Sequence, residues 1–136
     1  MRTEKDVEAY LAGMNRTFSQ VHDQPGTYLV HSSAAMPQIA VRVDPPLVVL
    51  RVRISDARSA NVALLRRLLE YNAESLVHTA YGLEKDHVVL VAALELENLD
   101  FNELQAVLDE IDVALAEQVP LLAQLSKAES IPVRGQ

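Results

Sequence analysis

The stretch His87–Glu97, HVVLVAALELE, limits the possible folds more than any other part of the chain. Successive residues of a β-strand point to opposite faces of a sheet. Val88, Leu90, Ala92, Leu94 and Leu96 share one face. Val89, Val91 and Ala93 share the other, which turns polar only at Glu95 and Glu97. A strand with one face in water should alternate apolar and polar residues. This strand asks for cover on both faces, so the question is what the rest of the chain can supply.

Helical cover comes from three segments. Thr3 and Asp6 form a capping box ahead of Val7, Tyr10, Leu11, Met14, Phe18 and Val21. That spacing of three and four predicts a helix of about five turns, closed by the turn Asp23-Gln24-Pro25-Gly26. Asp56 or Ser59 caps a second helix with its body over Asn61–Ala73. Val62, Leu65, Leu69 and Asn72 lie on one stripe of it, widened by Leu64, Leu68 and Tyr71. Asp100 and Glu103 form a second capping box before Phe101, Leu104, Leu108, Ile111, Leu115 and Leu122. Pro120 should kink or end that helix near Val119.

Strand-like runs fill the gaps. Thr27–Ser33 is the first. In Gln38–Val43, Ile39, Val41 and Val43 stand opposite Gln38, Ala40 and Arg42. In Leu47–Ile54, Val48, Leu50, Val52 and Ile54 stand opposite Leu47, Val49, Arg51 and Arg53. Leu76–Leu83 turns through Glu84-Lys85-Asp86 into the His87 strand, in a register that pairs Leu83 with Val88. The predicted fold is α+β, in the order helix, three strands, helix, two strands, helix. Its sheet is five-stranded and mainly antiparallel, with helices packed mostly on one face. Residues 1–125 form a single domain, and 126–136 are a loosely ordered tail.

Coverage can then be counted. Five strands about 4.8 Å apart make a sheet about 24 Å wide. Helices pack about 8–10 Å apart, so two or three are needed per face. Three helices cannot shield both faces, unless the second lies across part of the other one. The face left over carries Leu47, Val49, Val89, Val91 and Ala93 for apolar contact. Arg51 and Arg53 would orient a partner there, and Leu68 and Tyr71 extend the surface onto the second helix. Glu95 and Glu97 are placed to pair with the arginines across strands. The face measures about 500 Å² in plan, close to the largest apolar patch a monomer tolerates. A second copy of the chain, or a peptide segment of a client protein, is the expected cover.

Composition removes other classes. The chain has no cysteine, so disulfides, thiolate nucleophiles and cysteine metal ligands are out. Its net charge is −7, and residues 76–136 hold eleven acids against three bases. Such a half repels phosphate backbones, so nucleic acid is not the expected partner. Charges crowd the first eight residues where a signal peptide would be apolar. No run approaches the about 20 apolar residues of a membrane span. A cytoplasmic protein with no membrane partner is expected. His22, His31, His78 and His87 form no zinc-binding pattern. Four glycines provide no phosphate loop, and the acids of Asp109–Asp112 read as a solvated helix face. No metal, cofactor or catalytic constellation is expected. A small-ligand pocket is the alternative, and it would need His31, Ser33 and Tyr81 to converge.

The run LLRRLLEYNAES leads into LVHTAYGLEKDHVVLVAALELENLDFNELQAVLDEI. Its apolar helix, its asparagine and the hairpin that enters the last helix resemble the type III secretion chaperone-like superfamily, which includes the YbjN-type domain. The resemblance extends from Val7 to about Leu125. It rests on Gly82, Leu83, Asp86, Val88, Leu90, Leu94, Leu96, Leu99, Glu103 and Leu104. It implies a non-enzymatic α+β fold, often homodimeric. The chaperones hold an effector's N-terminal segment extended along apolar grooves without ATP. YbjN-type members are linked to regulation and stress responses. No functional residue carries over, because the binding surfaces are patches. Arg42, Arg51 and Arg53 depart from a purely apolar groove. The expected function is a dimeric chaperone or adaptor that binds a peptide segment of a partner. A stress regulator acting through protein–protein contact is the alternative.

Overall fold

The computed structural model describes residues 1–32, 38–58 and 60–130. Helix α1 spans Glu4–Gly13 and begins as predicted, with Asp6 accepting a hydrogen bond from the Thr3 N–H at 2.8 Å. It ends two turns before Val21, because Asn15 adopts left-handed backbone (φ 57°) and reverses the chain. Gly13 allows the close approach that follows. A Cβ there would lie 3.3 Å from the Phe101 ring. Phe18, expected on the helix, instead opens a short strand, β1 (Phe18–Gln20). It packs edge-on against Tyr28, with ring centroids 6.0 Å apart.

The sheet therefore has six strands, not five. The others are β2 (Thr27–His31), β3 (Gln38–Asp44), β4 (Leu47–Asp56), β5 (Ala80–Glu84) and β6 (His87–Glu95). All neighbours are antiparallel, in the order β1-β2-β3-β4-β6-β5. Leu83 pairs with Val88 in the predicted hairpin register. Strand parity decides burial. Val30, Ile39, Val41, Val48, Leu50, Val52 and Leu90 are wholly buried on one face, each stabilising by about 1.5–3 kcal/mol.

The helices lie on that face. Helix α2 spans Val62–Glu74. Its cap is Asn61, whose Oδ1 accepts from the Leu64 N–H at 2.7 Å while its Nδ2 donates to the Leu125 carbonyl at 3.2 Å. Asp56 cannot serve, since it ends β4 and pairs with Arg58 at 2.6 Å. Ser59, the other predicted cap, lies outside the described residues. Helix α3 (Phe101–Val113) starts at the predicted Asp100–Glu103 capping box. Pro120 does not end the last helix. A π-helical turn at Ala114–Gln118 joins α3 to α4 (Val119–Ser130), and the Val119 N–H reaches back five residues to the Ala114 carbonyl. A proline ring would strike the carbonyl four residues back in an α-helix, and the wider turn relieves that clash. Residues 126–130 of the expected tail are therefore helical, and 131–136 lie outside the described residues.

Candidate functional site

The helix-free face of the sheet can be read row by row from its register. One row runs Ser19, Leu29, Ala40, Arg51, Val91, Ala80 across all six strands. The next runs Thr27, Arg42, Val49, Ala93. Leu47 stands opposite Glu95, and Arg53 opposite Val89. The seven sheet residues predicted from parity thus share one face. Leu47, Arg51, Arg53 and Ala93 are exposed, while Val49 and Val91 are half-buried.

Val89 is the exception, only 5% exposed. Arg51 Nη2 reaches Glu84 Oε2 at 3.1 Å. The line from Arg51 on β4 to Glu84 on β5 crosses β6 over Val89. The predicted pairing of the arginines with Glu95 and Glu97 is not made. Glu95 is opposite Leu47, about 13 Å along the strand from Arg51, and Glu97 faces the N-terminal amine at 3.6 Å. Arg42 and Arg53 have no ion-pair or hydrogen-bond partner among the described residues. Val49, Val89 and Val91 floor a groove of about 540 Å³, bounded by Arg51, Glu84 and residues 77–80.

The loop at 77–79 is held from below by one carboxylate. Glu110 of α3 accepts the N–H groups of Val77 (3.2 Å), His78 (3.0 Å) and Thr79 (2.8 Å), and the Thr79 hydroxyl (2.5 Å). His78 Nδ1 lies 3.2 Å from the same carboxylate. Burial pushes the Glu110 pKa up, but hydrogen bonds from Thr79, His78 and Val77 outweigh it and hold the group below its ordinary value. The acids on α3 are therefore not all solvated, as had been expected of Asp109–Asp112. Asp112 accepts from Arg16 at 2.7 Å and from the Ser32 hydroxyl at 2.8 Å.

Helix α2 differs from expectation. Leu68 is 4% exposed and sits in the core, and Tyr71 packs against Tyr81 with centroids 6.1 Å apart. Both lie on the covered side of the sheet, away from the open face. The adjacent stripe points outward. Leu69 is 69% exposed and, with Leu65, Gly82 and Leu83, lines an apolar groove of about 420 Å³ at the α2–β5 edge. Asn72 closes part of that edge. Its Oδ1 accepts from the Tyr81 N–H at 2.7 Å and its Nδ2 donates to the Tyr81 carbonyl at 3.1 Å, so a side chain occupies the place of a neighbouring strand.

The small-ligand alternative does not assemble. His31 is on β2 and Tyr81 on β5, four strand steps or about 19 Å apart. Ser33 lies outside the described residues. Tyr81 donates instead to Gln118 Oε1 at 2.7 Å, and burial drives its pKa upward. Among the described residues no group of three His, Asp or Glu side chains is placed to hold a metal. No helix of theirs is long and apolar enough to cross a membrane.

No curated protein sequence matches the chain. Solved structures share its fold at low identity. A chain of the heterodimeric ExoU–SpcU complex, from the type III secretion system of Pseudomonas aeruginosa, superimposes with a TM-score of 0.67 at 18% identity. That match covers 85% of this chain and 96% of the other. YbjN from E. coli gives 0.61 at 14% identity, over 85% and 93%. A chain of the complex between the Yersinia pestis type III secretion chaperone SycH and a stable fragment of YscM2 gives 0.59 at 16%, over 88% and 98%. The sequence model of the CesT_Tir_1 family matches residues 1–128. The chain belongs to the CesT_Tir_1 family.

Proposed function

We propose that the protein is a non-enzymatic, cytoplasmic binding module, a dimeric chaperone or adaptor that holds a segment of a partner protein against the open sheet face. The observation that carries this reading is the one-sidedness of the sheet. Among the described residues, Leu29, Ala40, Val49 and Val91 are half-buried with no helix above them, so a further layer would remove apolar surface from water. Support comes from the family and from fold relatives solved as complexes, SycH with a YscM2 fragment and the HopA1–SchA chaperone–effector pair. With six strands the open face is about 29 Å by 20 Å, or about 580 Å² in plan, still smaller than the about 800 Å² per partner of a standard interface. The second copy is better accommodated at the α2–β5 edge, where Leu69 and Leu83 stand 69% and 59% exposed.

Light scattering coupled to size exclusion tests the dimer. A monomer at tens of micromolar rejects it, and Leu69→Arg should convert a dimer to monomer. Val91→Arg should abolish segment binding with little change in thermal stability. A collapsed fold would instead place Val91 in the core. YbjN shares the fold, which favours a second reading, a regulator that engages folded proteins through the same surfaces. Limited proteolysis of a captured partner separates the two, since a chaperone's client is cleaved outside the held segment.

A further inference from the structure

An apolar groove for any extended chain has no use for three arginines, yet Arg42, Arg51 and Arg53 rise from the open face of a chain whose net charge is −7. We propose that this face selects acidic, amphipathic segments, and that Glu84 is an internal stand-in for a partner carboxylate on Arg51. The proposal rests on the reading that a partner segment lies on this face, and adds the chemistry of that segment.

Charge complementarity is the first argument. Arg42 and Arg53 are exposed and, among the described residues, unpartnered. Each stands beside an apolar neighbour, Arg42 next to Val49 and Arg53 next to Val89. A segment that repeats two apolar residues and then two carboxylates turns both kinds of group toward the face when it is extended, and would satisfy both. The second argument is the Arg51–Glu84 pair at 3.1 Å, with both side chains about half exposed. Ion pairs so exposed are worth little, so an arriving carboxylate can replace Glu84 at small cost. Displacing that lid would uncover Val89. Gly82 beside it leaves open space, since a Cβ there would meet nothing within 4 Å.

Geometry favours a segment lying on the face. Asn72 already occupies the Tyr81 N–H and carbonyl, so strand addition at the β5 edge is obstructed there. The face is also too small to form a standard interface with a folded partner alone. Nucleic acid fits poorly. The valines between the arginines offer a phosphate nothing, while Asp44 and Glu95 stand opposite Leu47 at one end of the face, about 13 Å or more along the strand from Arg51 and Arg53.

Fluorescence anisotropy of the full chain with labelled peptides tests the idea. A peptide of about eight residues spans about 26 Å, near the width of the sheet. Four probes suffice: repeats of Val-Val-Glu-Glu, of Val-Val-Lys-Lys and of Ser-Ser-Glu-Glu, and a single-stranded DNA oligomer. The valine–glutamate peptide should bind about ten-fold or more tighter than the other three, and more weakly as salt rises. Glu84→Gln should tighten it several-fold by freeing Arg51, and Arg42→Glu with Arg53→Glu should reverse the preference toward lysine. Equal binding of the valine–glutamate and valine–lysine peptides overturns charge selection and leaves the binding-module reading standing. Equal binding of serine–glutamate or DNA marks a polyanion surface and overturns the proposal. Unchanged or weaker binding by Glu84→Gln overturns the stand-in role. If no peptide binds, both readings of the face fall.

Discussion

Truncating Glu110 to alanine removes the carboxylate that gathers the backbone N–H groups ahead of β5. Val77 and His78 are exposed, so water can replace their bonds. Thr79 is only 7% exposed, and its N–H and hydroxyl both point at Glu110. A buried polar group left without a partner costs about 1–3 kcal/mol. Two such groups, one a hydroxyl free to rotate, suggest a loss of about 2–4 kcal/mol. With an unfolding entropy of about 2.1 cal/mol/K per residue over 136 residues, each kcal/mol lowers Tm by about 3.5 °C. Glu110→Ala should therefore melt about 7–14 °C below the native protein at neutral pH. The acid limb gives an independent check. Hydrogen bonding holds the folded pKa of Glu110 below its ordinary 4.5, even though burial acts the other way. A depressed folded pKa contributes stability that is complete above the unfolded value and is lost as pH falls through the folded one. The gap between the two proteins should thus narrow as pH drops from about 5 toward 3. Melting curves followed by circular dichroism at neutral and acid pH measure both effects. A neutral-pH difference under about 2 °C, or a gap unchanged by acid, refutes the clamp.

Leu68→Ala should cost about 2–5 kcal/mol and Leu69→Ala less than about 0.5 kcal/mol in urea unfolding, because only Leu68 lies in the core. Asn72→Ala should lower stability by about 1–2 kcal/mol and raise the tendency to aggregate, read by light scattering, since it bares the Tyr81 edge. Burial, and then the hydrogen bond to Glu8, push the Tyr28 pKa up to about 12. A raised folded pKa gives stability that is present below the unfolded value and lost as pH rises. Tyr28→Phe should therefore flatten the alkaline fall in stability between about pH 10 and 12 in denaturant melts.

Strand parity, the Leu83–Val88 register and both capping boxes could be read in the sequence, because each depends on neighbours within a few positions. The seven open-face residues followed from that parity. What escaped depends on distant partners. Phe18 sits four residues from Met14, a helical spacing, while a three-residue strand leaves no periodic trace. Asn61, taken as the helix body, became its cap. Leucines at 64, 65, 68 and 69 draw two adjacent stripes on α2, and only its docking against β5 turns Leu64 and Leu68 inward. Arg51 meets Glu84 and not Glu95 because β6 lies between β4 and β5, an order that local pattern does not encode. Glu110 looked like one acid among several on α3. Its targets lie more than thirty residues earlier, in a loop with no sequence signature.

The π-helical turn at Ala114–Gln118 has a consequence for insertions and deletions. Adding or removing one residue elsewhere in the Phe101–Ser130 rod would swing everything downstream by about 100° and carry Leu122 out of the interior. A π-turn is equivalent to an α-helix that has absorbed one extra residue. Excising a residue within 114–118 would let the rod relax to regular winding with Leu122 still facing inward. Pro120 would then collide with the carbonyl four positions back, so the shortened chain should tolerate the loss only alongside Pro120→Ala. Loss of one residue is therefore expected to be accepted in this five-residue window once Pro120 is replaced, and to disrupt the rest of the rod.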